Sequence, residues 1–137
     1  AAHRAIVARM GLPCRPVLDE DQLEAALPEL AAANVFVDAL LGTGFKGDLR
    51  PHLAAIIRRC NALALENRRV GAVDVPSGLD CDTGMPSHTT VRADVTVTFV
   101  APKKGFLTER ARPFVGRVVV ASIGTPPELI DEVREQM

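Results

Sequence analysis

Two segments constrain this chain more than anything else in it: Val35-Phe-Val-Asp-Ala-Leu-Leu-Gly-Thr-Gly-Phe-Lys-Gly-Asp48 and Val73-Asp-Val-Pro-Ser-Gly-Leu-Asp-Cys-Asp-Thr-Gly84. In each, an apolar β-type run reaches an aspartate and then breaks into glycine-rich or Pro-Ser-Gly turn chemistry. An α/β protein places a carboxylate beside a ligand crevice in this way, at a strand's carboxyl end. Between the two segments, Leu53, Ile56 or Ile57, Cys60 and Leu63 or Ala64 recur at helical spacing. The pair therefore reads as strand, crossover helix, strand, with both aspartates on one edge of a sheet.

The rest of the chain continues the alternation. Ala2 to Met10 reads as a short helix stopped by Gly11 and Pro13, and Arg15 to Leu18 as a brief strand. Asp19 or Asp21 caps a second helix, whose Leu23, Ala26, Leu27 and Leu30 share a face and which Pro28 bends or shortens. Val35 to Leu41 is a buried strand with Asp38 inside it. Asp48 caps a helix from Leu49, with Pro51 in its first turn. Val70 to Val75, Asp94 to Val100 and Arg117 to Ile123 are further strands, and Thr125 caps a terminal helix with Pro126 at its first position. The pattern predicts an α/β domain with a mostly parallel sheet covered on both faces, a three-layer αβα sandwich. Ligand chemistry is expected along its carboxyl edge, at a switch in strand order.

Composition narrows the function classes. With 137 residues, 47% of them apolar, and a formal net charge of -1, the chain reads as one globular domain over 1–137 with no electrostatic footprint for nucleic acid. It has no Trp or Tyr and five Phe, too few for a base-stacking surface. Cys14, Cys60 and Cys81 lack metal-ligand spacing and read as reduced thiols of a cytoplasmic protein. His3, His52 and His88 are dispersed, and no apolar run approaches the ~18 residues of a membrane span.

Each candidate residue has a structural alternative. Gly42-Thr-Gly-Phe-Lys-Gly47 matches neither G-x-G-x-x-G nor the Walker spacing. It is either a plain turn or a loop whose backbone N–H groups meet phosphate, with Lys46 either adding a cation or standing in solvent. Asp38, within an apolar strand, must be paired, metal-bound or at the strand's open end, or else bonded to neighbouring backbone. Asp74 is a candidate general acid/base if partial burial lifts its pKa toward neutrality; otherwise it and Ser77 satisfy loop N–H groups. Ser77 lacks the G-x-S-x-G elbow of a hydrolase nucleophile, and Asp80 and Asp82 read as turn residues, since the other ligands of a calcium loop are missing.

Linked motifs carry a family resemblance. Val37-Asp-Ala-Leu-Leu-Gly-Thr-Gly44, Ala72-Val-Asp-Val-Pro-Ser-Gly-Leu-Asp80, Arg92-Ala-Asp-Val-Thr-Val-Thr-Phe99 and Ala101-Pro-Lys-Lys-Gly-Phe-Leu107 occur in order, followed by Val115-Gly116 and Val120-Ala-Ser-Ile-Gly124. Together they closely resemble the NAD(P)H-hydrate epimerase family, also called the YjeF amino-terminal-domain family. The resemblance implies a Rossmann-like fold and interconversion of the R and S forms of hydrated NADH and NADPH, which carry a hydroxyl at C6 of the reduced nicotinamide ring. It also implies a bound potassium ion. By motif, Asp38 and Ser77 fall on the potassium-binding positions. Gly42, Thr43, Gly44, Phe45, Lys46, Gly47 and Asp48 fall on the substrate-contacting loop, and Asp74 on the substrate-contacting aspartate, for which proton transfer at C6 is the implied role. Lys103 aligns with a recurring lysine of unassigned role.

The chain also departs from that family. The upstream Gly-Asn-Asn-Gly-Gly-Asp-Gly-type loop, which closes over the nucleotide and supplies another potassium ligand, has no counterpart here. The fold is therefore expected to be amino-terminally incomplete, with apolar surface and a strand edge uncovered. Two other readings share these motifs: an interaction domain, as in the apolipoprotein-A-I-binding protein and an mRNA-decapping enhancer, and the epimerase part of a bifunctional protein with a dehydratase. The expected partner is the small-molecule substrate, not nucleic acid or membrane, with a homodimer and a functional link to the dehydratase as further expectations.

Overall fold

The structure is a computed structural model that describes residues 2–66 and 68–135. Its sheet grows from the alternation predicted above. Strands β1 (Val35–Asp38), β2 (Arg69–Val73), β3 (Val95–Phe99) and β4 (Arg117–Ala121) lie in that order and are all parallel. Helices α1 (Ala2–Arg9) and α2 (Glu20–Ala32) precede β1, and α3 (Pro51–Ala64) connects β1 to β2. A 3-10 turn at Lys104–Leu107 and the short α4 (Arg112–Val115) connect β3 to β4, and α5 (Pro127–Glu135) follows. This parallel sheet with flanking helices is the Rossmann-like α/β architecture expected of the sequence.

The strands end where side chains take over from ladder partners. β1 stops at Asp38 and not at Leu41, because the Leu40 N–H donates to Asp38 Oδ1 at 3.3 Å and the Leu41 N–H to Ser77 Oγ at 3.0 Å. β2 stops at Val73 and β3 at Phe99 because the next residues, Asp74 and Val100, each turn to φ 67°. Helix boundaries moved for similar reasons. Asp19 caps α2, accepting from the Gln22 N–H at 2.8 Å. That helix continues past Pro28, whose ring sits on an exposed face where the freed carbonyl one turn back can be hydrated. Arg15 to Leu18 forms no strand: the Leu18 N–H bonds the Gln22 side chain and Arg15 pairs with Glu29. The terminal helix begins at Pro127, with the Pro126 carbonyl accepting from Leu129 and Ile130.

Every connection in this sheet steps one strand in the same direction. Right-handed crossovers that all advance one way deliver their connecting segments to one face. The packing agrees. Ala54 and Ile57 of α3 pack with Phe36, Val70 and Ala72. Thr96, which pairs with Ala72 in register, donates its hydroxyl to the Val115 carbonyl of α4 at 2.7 Å. The opposite face is less covered than in a sandwich closed on both sides, with Val35, Val37 and Val97 at 59%, 70% and 36% exposure, in line with the uncovered apolar surface expected from the sequence. Nor does the strand order reverse among the described residues, so the expected switch point is not present there. The carboxyl edge alone gathers the candidate residues. No helix among the described residues is long and apolar enough to cross a membrane.

Candidate functional site

Asp38 ends β1 and Ser77 sits four residues beyond β2, and the structure joins them. The Ser77 N–H donates to Asp38 Oδ2 at 2.7 Å and its hydroxyl to Oδ1 at 2.6 Å. Both residues are buried, at 7% and 1% exposure. Among the described residues the hydrogen-bond partners of this buried carboxylate are the neutral N–H and O–H groups of Ser77 and Leu40, with no side-chain cation bonded to it. Hard oxygen donors carrying one net charge suit a monovalent cation better than a soft-ligand metal. The two residues thus fit the ion the family implies. No group of three His, Cys, Asp or Glu side chains able to hold a metal occurs among the described residues.

Asp74 lies at the end of β2 in the left-handed region, a conformation that non-glycine residues adopt at functional sites and tight turns. Its Oδ1 accepts from the Thr98 hydroxyl at 3.1 Å and the Phe99 N–H at 3.2 Å, and pairs with Lys103 Nζ at 2.9 Å. Burial pushes its pKa up, but the bonds from Lys103, Phe99 and Thr98 outweigh burial and the net shift is downward. The expectation that burial lifts Asp74 toward neutrality is therefore overturned: the group is a carboxylate at neutral pH.

The glycine loop rests on the segment after β2. Lys46 Nζ reaches Asp82 Oδ2 at 2.6 Å and Asp80 at 3.1 Å, which raises its pKa. Its cation pairs with these carboxylates while about half of its side chain stays exposed. The Cys81 thiol, buried, lies 3.4 Å from the Thr43 carbonyl. Asp48 does not cap α3: Arg50 occupies that position without a side-chain bond, and Asp48 Oδ1 lies 3.2 Å from His88 Nδ1. Asp80 is a turn residue, as read from sequence, its Oδ1 accepting from the Asp82 and Thr83 N–H groups at 2.9 Å each. These bonds, with Lys46, pull its pKa to about 2.

Gly42 and Gly44 have open space where a side chain would stand, and neither has positive φ. Nothing in the described fold demands glycine there, so the bare backbone is accessible to a ligand. Gly78 and Gly84 differ, because a Cβ there would run into backbone.

Sequence reasoning missed Thr98 and left Lys103 without a role. Thr98 is fully buried in a Val-Thr-Val-Thr run, where threonine also serves β propensity, so nothing in the run marks it as a hydrogen-bond donor to a site. Lys103 approaches Asp74 only because the turn at Val100 redirects the chain after β3.

Comparison with known proteins follows the same residues. Residues 2–105 match the family described as "YjeF-related protein N-terminus". A Rhodopirellula baltica protein named "NAD(P)H-hydrate epimerase" is 46% identical over 101 residues, covering 74% of this chain and 40% of its own length. A Pyrobaculum aerophilum "Bifunctional NAD(P)H-hydrate repair enzyme Nnr" is 50% identical over 97 residues, covering 70% of this chain and 19% of its own length. A Moorella thermoacetica protein of the same name is 40% identical over 125 residues, or 91% of this chain and 23% of its own length. The chain spans under half the length of these curated relatives. With its carboxyl-edge aspartates, its Pro-Ser-Gly turn and a family match over most of its length, the chain belongs to the YjeF amino-terminal-domain family.

Proposed function

We propose that the protein interconverts the R and S epimers of hydrated NADH and NADPH. The observation that carries this reading is an ionised carboxylate, Asp74, held at the carboxyl edge together with the buried pair of Asp38 and Ser77 and an unobstructed glycine loop. Relatives named NAD(P)H-hydrate epimerase support it.

C6 of the hydrated ring bears both a hydroxyl and the ring nitrogen, so its configuration is lost when the bond to nitrogen opens and reforms on the other face. Asp74, already deprotonated, accepts the hydroxyl proton as the C6 oxygen becomes a carbonyl and the electrons of the C6–N bond pass to nitrogen. Reclosure on the opposite face breaks that carbonyl, and Asp74 returns the proton to oxygen. Gly42 to Gly47 offers backbone N–H groups to the nucleotide phosphates, with Lys46 tying the loop down through Asp80 and Asp82. Asp38 and Ser77 would hold the potassium ion, which when bound supplies fixed positive charge beside an anionic ligand. Relatives named bifunctional NAD(P)H-hydrate repair enzymes support a functional link to a second repair activity, which we read as the dehydratase, and we assign the reaction to the cytoplasm.

The full-length protein should accelerate exchange between chromatographically separated epimers, and an unchanged exchange rate would reject the proposal. Asp74→Asn keeps the shape but cannot take a proton; kcat is expected to fall about 10²–10⁴-fold with KM little altered. The potassium assignment predicts a higher Tm in potassium than in a bulky organic-cation salt of equal ionic strength, a difference that Asp38→Ala abolishes. Equal melting in both salts would remove the ion from this site.

A further inference from the structure

Lys103 is the residue of the site whose chemistry remains unassigned. It reaches Asp74 Oδ1 at 2.9 Å and the Phe99 carbonyl at 3.1 Å, with both members of the ion pair only 20% exposed at their side chains. Lysine and aspartate side chains are seldom so enclosed unless paired. The contact bridges two strained turns at neighbouring strand ends: Asp74 at φ 67° after β2 and Val100 at φ 67° after β3. A β-branched residue at positive φ is a rarity in backbone geometry and persists only where its surroundings hold it. The Val100 N–H donates to the Ala121 carbonyl and the Ala101 N–H to Phe99, so that turn is held from both sides.

The bonds to Asp74 are one-sided. Thr98, Phe99 and Lys103 all address Oδ1, and among the described residues Oδ2 takes no bond from the protein. A carboxylate anchored through one oxygen has one rotamer and one oxygen left for a ligand. We infer that Lys103 is a positioning residue for the proposed epimerisation, clamping Asp74 through Oδ1 so that Oδ2 is the oxygen that exchanges the proton with substrate. This rests on the epimerase reading. It adds to that reading which oxygen works and which group keeps it in place. From β3 Thr98 and Phe99 face Asp74, and from the following loop Lys103, the one charged group of the three.

The test compares wild type, Lys103→Met and Lys103→Arg in the full-length protein. Two readouts are used: the pH profile of epimer exchange, and the titration of the Asp74 carboxyl carbon by ¹³C NMR without ligand. With Lys103→Met we expect kcat at neutral pH to fall about 10- to 100-fold, since an acid/base group of ordinary worth is being misplaced, not removed. KM should stay within about threefold, and the acidic limb of the profile and the Asp74 titration should both move to higher pH. Lys103→Arg keeps the charge and should restore the titration midpoint and part of kcat. A raised KM with unchanged kcat would make Lys103 a ligand-binding group and overturn the inference. So would a lowered Tm with an unmoved acidic limb, which describes a structural strut. If wild type shows no exchange, the epimerase reading fails, yet a carboxyl titration that moves in Lys103→Met still upholds the clamp on Asp74. An unmoved titration overturns the clamp whatever the activity.

Discussion

The glycines after β1 and those after β2 lie on the same carboxyl edge, yet they answer to different demands. At Gly42 and Gly44 an added Cβ meets nothing within 4 Å. At Gly84 it would overlap the Thr108 hydroxyl and the Gly105 carbonyl, at φ 68°, and Gly105 in turn backs onto Gly84 N, within 2.6 Å of where its own Cβ would stand. Gly78 meets the Thr89 carbonyl in the same way, at φ 92°. The second segment is therefore glycine-rich because the chain packs on itself. In the first, Gly47 answers to its backbone, at φ 76°, but Gly42 and Gly44 have no internal reason, and the remaining reason is something that approaches from outside. Glycine content alone does not separate a ligand loop from a packing joint; the space beside each Cα does.

This contrast can be broken by substitution. Gly84→Ala should have the largest effect, a loss of more than about 4 kcal/mol, because overlap with backbone and a φ that side chains rarely adopt combine at a buried joint. Chemical denaturation reads it directly, and a variant of near-normal stability would show that the joint yields. A smaller, pH-dependent effect is expected at Asp80. Its folded pKa is depressed to about 2 by the Thr83 and Asp82 N–H groups and by Lys46, so its stabilisation is complete above the unfolded carboxylate pKa of about 4. It is lost as pH falls through about 2. The stability gap between wild type and Asp80→Asn should therefore close progressively over that window; a gap of constant size would contradict it. Gly44→Ala should alter stability least, within about 0.5 kcal/mol. Its effect belongs in ligand affinity, measured as a raised Kd for hydrated NADH by calorimetry. Unaltered affinity would make the loop a plain turn.

Much of this was readable from the residues because periodicity and turn chemistry act locally. Asp38 and Ser77 were singled out by their settings, an acid in an apolar strand and a serine after a strand-ending proline, and they meet. What could not be read depends on contacts across the chain. The downward shift of Asp74 comes from Lys103, 29 positions on, and from the backbone of Phe99. Lys46 looked like a free cation because the carboxylates that hold it, Asp80 and Asp82, lie in another loop. Asp48 stood in a plausible capping position, but the helix begins further on, with Arg50 at its cap, and Asp48 lies beside His88 instead. Uncovered apolar surface was expected, but which face of the sheet stays bare depends on three crossovers advancing one way, a property of strand order that no local pattern carries.

The Cys81 thiol, lodged under the Thr43 carbonyl, gives the glycine loop a built-in clock. Burial, with Asp82 beside it, raises the thiol pKa, so the fraction present as the reactive thiolate is small and an alkylating reagent has little access. Modification then requires the loop to lift. The rate at which a small reagent labels Cys81 counts those openings, and a bound nucleotide that pins the loop should slow the count in proportion to its occupancy.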